Sequence, residues 1–216
     1  MRKNVATLIF LFLSFIVNSQ SISNENLDKI VSNFTQKLLN RNIDTICVYE
    51  SYCIGCEITV DVSEKNELCI DEAENQPIFI FWKEKGKTFI NKINRCYEYL
   101  DIEIPDDDFW KIYFKNSKII EKEKINNFES VEYKKGKKTT ISISVDHSYH
   151  QNFKFIVNNK TVSKYFDEFD LSKESNALYN INYIHNNRLI SKQIIDTLEK
   201  SCRNIKESQY KIIKNR

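Results

Sequence analysis

Glycine is almost missing from this chain: Gly55, Gly86 and Gly136 are the only three in 216 residues. A dinucleotide fingerprint, a Walker-type phosphate loop and a nucleophile elbow each need closely spaced glycines, because the backbone must turn sharply or approach a phosphate. None of them can be assembled here, which removes the commonest routes to nucleotide use and serine-hydrolase chemistry. Proline occurs twice and histidine three times, and there is no His-Glu-x-x-His zinc motif. A Pro/Gly/Ser-rich linker, an internal repeat and a low-complexity segment are also lacking. Asparagine is abundant instead, and it tolerates the left-handed conformations that turns otherwise take from glycine.

What is present begins with a leader pattern. Arg2 and Lys3 precede an apolar stretch from Val5 to Val17, interrupted only by Thr7 and Ser14. Its thirteen residues fit the roughly 7–15 of a signal-peptide core and fall short of the roughly 18 of a spanning helix. A cut ahead of Gln20 is expected, giving a signal peptide at 1–19 and a single α+β domain at 20–216. The first cysteine is Cys47, too late for a lipid anchor beside the leader. Removal of Arg2 and Lys3 takes the formal net charge from +2 to zero. A neutral domain lacks the basic footprint of a nucleic-acid binder. No later apolar run reaches spanning length, so a soluble secreted or periplasmic protein is expected.

Periodicity sets the expected elements. Leu27, Ile30, Val31, Phe34, Leu38 and Leu39 predict an amphipathic helix over 24–40. Short β-like runs follow at 46–49 and 58–62. Ile78 to Trp82 is apolar on both faces, as in a buried strand, and a Lys85-Gly86-Lys87 turn returns it through 88–93. Pro105 and the acids after it predict a helix start, with Trp110, Tyr113, Phe114, Ser117 and Ile120 on one face. Hairpins are predicted over 131–145 and over 153–166, the second turning at Asn158-Asn159. A helix from Leu189 to Cys202 closes the chain. The sum is an antiparallel sheet of consecutive hairpins flanked by about three helices.

Six cysteines, Cys47, Cys53, Cys56, Cys69, Cys96 and Cys202, make disulfide bridges the favoured reading in an exported chain. Cys53-Ile54-Gly55-Cys56 also has the form of a redox pair, although such pairs work best at a helix N-terminus and the following residues alternate as a strand. A zinc knot of Cys53, Cys56, Cys69 and Cys96 is a third reading. Asp146, His147 and His150 form the one cluster of acid and imidazole groups, a weak metal candidate against a plain polar hairpin end. Asp106, Asp107 and Asp108 lack the spacing and glycine of a calcium loop and read as helix-start acids. Lys134, Lys135, Lys137 and Lys138 surround Gly136 and read as a solvated hairpin tip.

No cofactor is expected, and the expected activity is non-catalytic binding of an unidentified protein or extracellular ligand. Thiol–disulfide exchange at Cys53 and Cys56 is the alternative.

Overall fold

The computed structural model describes residues 22–56, 77–94, 97–105 and 107–215. The leader, the expected 58–62 strand, Cys69, Cys96 and Asp106 lie outside them. In chain order the elements are α1 (Ile22–Asn40), β1 (Thr45–Ile54), β2 (Ile78–Glu84), β3 (Lys87–Ile93), β4 (Tyr97–Tyr99) and β5 (Ile102–Ile104). Then come α2 (Asp108–Lys122), β6 (Glu129–Lys134), β7 (Lys137–Ser142), β8 (Ser148–Val157) and β9 (Lys160–Asp167). A 3-10 turn (Phe169–Leu171), β10 (Glu174–Ser175), β11 (Leu178–Tyr179), α3 (Tyr183–Asn187), α4 (Ile190–Asn204) and β12 (Ile212–Asn215) complete it.

The fold is α+β. An eight-stranded antiparallel sheet runs in the order β12-β4-β3-β2-β1-β8-β9, with β5 also on β3. β1 sits inside it and alternates its side chains between two cores. Ile46 and Val48 pack with Ile78, Ile80 and Trp82 under α1, through Leu27 and Leu38. Cys47 and Tyr49 pack on the opposite face with Phe81, Phe153 and Phe155, under α2 and α4. Covering both faces explains why β2 reads as a continuous apolar run rather than an alternation. Each fully buried Ile or Phe contributes about 1.5–3 kcal/mol through the apolar area it removes from water.

The turns show how the chain manages with so little glycine. Lys85-Gly86, Lys135-Gly136, Asn158-Asn159 and Asn176-Ala177 all have positive φ at both positions. That is the twist a two-residue hairpin needs to match its strands. Asn42, at φ 62°, ends α1 in the same region. There the Ile43 amide reaches back to the Leu38 carbonyl at 3.1 Å, closing the helix as glycine usually does.

Three features differ from the sequence expectation. β6 and β7 form a separate two-stranded ribbon, and β1 pairs with β8 rather than with its sequence neighbours alone. Phe114 lies on the outside of α2, 49% exposed, while Phe109 takes the buried position. The ribbon's base is held by asparagines. Asn186, fully buried, accepts from the Asn126 amide at 3.0 Å and donates to the carbonyls of Asn126 and Asp170 at 2.7 and 2.9 Å. Asn180, also fully buried, donates to the carbonyls of Asp170 and Ser172 and accepts from the Asn182 amide. The Glu123 carboxylate, at the end of α2, accepts from the amides of Ile190 and Ser191 at 2.7 and 2.9 Å, which fixes the start of α4.

Candidate functional site

The far ends of β1, β8 and β9 gather most of the residues singled out above. Cys53 stands opposite Tyr149 and Ile54 opposite Ser148. Cys53 and Cys56 are joined by a disulfide, with their Cα atoms 5.7 Å apart. Between them Gly55 has φ +73°, and a side chain there would meet the Asp146 carbonyl oxygen and His147 Cδ2 at 2.8 Å each. The His147 ring and the Asp146 backbone therefore occupy the space beside the four-residue loop. As a disulfide, Cys53 and Cys56 offer no thiolate to zinc, and Cys69 and Cys96 lie outside the described residues.

Among the described residues, Cys47 and Cys202 are in no disulfide. Burial pushes the Cys47 thiol well up, and the charge of Cys202 adds to it. Burial likewise raises Cys202, followed by the nearby Glu199. Neither forms thiolate readily, so neither is a nucleophile.

His150 takes neighbours different from those of His147. Its ring lies between Tyr52 and Tyr165, with centroids at 5.5 and 5.3 Å. The Tyr165 hydroxyl shares hydrogen bonds with His150 Nδ1 and with Tyr52. Tyr165 is 47% exposed overall, yet its hydroxyl reaches inward to the buried imidazole. Desolvation there, then the charges of Tyr52 and Asp167, push its phenol up to about 12. Ser148 donates to Asp167 alongside. Among the described residues, no group of three or more His, Cys, Asp or Glu side chains is placed to hold a metal ion.

The opposite face of the same strands opens into a cleft of about 560 Å³. Ser51, Tyr149 and Gln151 of the sheet line it, together with Glu168, Leu171 and Ser172 after β9 and Asn187, Lys192 and Glu199 of α3 and α4. Most of its donors are already engaged. The Gln151 amide donates to the Tyr49 hydroxyl, the Asn187 amide to the carbonyls of Leu171 and Tyr183, and the Lys192 ammonium to Asp196. The Glu199 carboxylate is paired with Arg203 at 2.8 Å, which leaves carbonyl oxygens and the Glu168 carboxylate as the cleft's acceptors.

The other marked residues have structural neighbours. Asp107 and Asp108 bind Lys111 at 2.8 and 3.0 Å at the start of α2, and the Lys111 partner holds the Asp107 carboxyl below its usual range. Lys134, Lys135, Lys137 and Lys138 form the exposed tip of the β6–β7 ribbon. Sequence reasoning missed Tyr52 and the cleft, since each depends on pairing β1 with β8, whereas Tyr165 reaches His150 through the β8–β9 pairing. Comparison with protein families, with curated proteins and with solved structures finds no match to this chain. Among the described residues no helix is long and apolar enough to cross a membrane.

Proposed function

We propose that this is an exported, non-catalytic binding protein that takes a small, donor-rich cation, in the simplest case a primary amine, in the cleft under α4. The observation that carries this reading is the imbalance of the cleft's hydrogen-bonding groups. The Asn187 amide has both N–H groups bound to carbonyls, Gln151 and Lys192 are each held by a protein acceptor, and Glu199 is paired with Arg203, so the charge the cavity offers is that of Glu168, beside oxygen acceptors. A ligand bringing N–H donors and positive charge satisfies these acceptors, whereas an anion leaves them unmatched. Tyr149 adds an aromatic ring to the lining, and aromatic faces attract cations. Export is supported by the Arg2–Lys3 head and the apolar core from Val5 to Val17.

Calorimetry of the purified protein with putrescine, glucose and acetate tests the ligand class. Binding of putrescine alone is expected, with E168Q weakening it about tenfold, as for a lost charge-assisted hydrogen bond. Silence with all three probes, or tighter binding of acetate, would sink the reading.

A further inference from the structure

Two segments that stand out separately in the sequence, the Cys53–Cys56 loop and the Asp146–His150 stretch, meet at one end of the sheet. We propose that the Cys53–Cys56 bond is a thiol-exchange centre for accessible thiols, with the His147 ring positioned to steady the cysteine sulfur that leaves.

Three observations support this. First, the bond closes a loop of only four residues. In the chain-entropy account such a loop restrains the unfolded chain far less than a long-range bridge does. The core is already continuous around β1 without it. Second, the loop faces solvent: Ile54 is 49% exposed and Gly55 is exposed, while both cysteines keep part of their surface. The thiols of Cys47 and Cys202, by contrast, belong to the core. Third, the imidazole fills the space a side chain at position 55 would occupy, pressed against the backbone between the two cysteines. Cys53 closes a strand, so it lacks the field of a helix N-terminus that stabilises thiolates elsewhere. Among the described residues, the His147 ring, whose Cδ2 and Cγ lie nearest position 55, is the side chain beside the loop that could turn an N–H toward the leaving sulfur.

The exchange balances with a dithiol, or with two molecules of a monothiol. A substrate thiolate attacks one sulfur of the pair; the new S–S bond forms as the Cys53–Cys56 bond breaks, and the expelled thiolate takes up a proton. A second substrate thiol loses its proton and attacks the substrate-side sulfur of the mixed disulfide. The substrate leaves as a disulfide, and Cys53 and Cys56 remain as thiols. Two electrons and two protons have then passed from substrate to protein.

The test uses reduced glutathione on the folded full chain, with iodoacetamide trapping and peptide mapping by mass. Cys53 and Cys56 are expected to open as a pair before Cys47 becomes reactive. His147→Ala is expected to slow opening about three- to tenfold, the share of a charge-assisted hydrogen bond felt by the leaving sulfur. In urea, where the ring no longer abuts the loop, variant and wild type should react alike. His147→Gln keeps a donor and is expected to react faster than His147→Ala. A pair that stays closed in the folded protein, equal rates for wild type and His147→Ala, or equal rates for the two variants overturns the proposal.

Discussion

Replacing Asn186 by aspartate tests the asparagine network with almost no change of shape. The native amide donates to two carbonyls, at 2.7 Å to Asn126 and 2.9 Å to Asp170, from a fully buried position. A carboxylate in its place would aim negative charge at both oxygens. The variant must therefore fold with that acid protonated, or bury an unmatched charge at greater expense. At pH 7, protonating a carboxyl with a reference pKa of about 3.9 costs about 4 kcal/mol. The neutral acid has one donor for two carbonyls, a further loss of about 1 kcal/mol. The Asp170 carbonyl keeps its bond from Asn180, which limits that second loss. N186D should thus be destabilised by about 4–5 kcal/mol at pH 7, or roughly 8–20 °C in Tm for a domain of this size.

The sign with pH follows from which state holds the proton. In N186D the folded form favours the neutral acid, so its pKa lies above the unfolded value. The deficit relative to wild type should be small below about pH 4, and should grow as pH rises and the unfolded chain alone ionises. Urea unfolding of both proteins at pH 7 and pH 4 measures the difference at each pH. A deficit under about 1.5 kcal/mol at pH 7, or one equal at the two pH values, would refute the assignment of Asn186 as a buried double donor.

Two further outcomes follow from the structure. Ala177 holds φ 62° in the β10–β11 turn. A177G should raise stability by about 0.5–1 kcal/mol, since relief of the left-handed penalty exceeds the entropy glycine adds to the unfolded chain; an unchanged or lower urea midpoint contradicts it. Cys47 is fully buried with its thiol pKa raised, so iodoacetamide should leave it unlabelled until the protein unfolds globally. Labelling in native buffer at the rate of an exposed thiol would show that the β1 core opens locally.

Much of the fold was legible because local pattern and final environment agreed. The double-faced apolar run Ile78–Trp82 is buried under helices on both sides, and the turns at Gly86 and Asn158-Asn159 fall where predicted. The short strands β4, β5 and β12 carry too few residues for a period to show. The placement of β8 beside β1 was not legible either, because ten-residue registers between distant segments leave no local trace. The candidate sites follow that pairing. The C-x-x-C and His-containing segments are visible as motifs, but their meeting is a property of register. Phe114 illustrates a different limit: a helical stripe of aromatics does not say which edge of the stripe meets the sheet.

The β1–β8 pairing also sets a clock. Tyr49 and Gln151, which hydrogen-bond across it, are 102 residues apart. At about 5–20 residues per second of synthesis, that interval lasts about 5–20 s. Hairpins form in about 1–10 μs, so β2 and β3 can zip together and engage one side of β1 long before β8 exists. Through those seconds the other side of β1 presents an open row of amides and carbonyls, the template on which foreign strands add. The strand that anchors the finished sheet is thus among the last to be covered. Its waiting edge, more than any surface of the native protein, is where a nascent copy is most prone to pair with another.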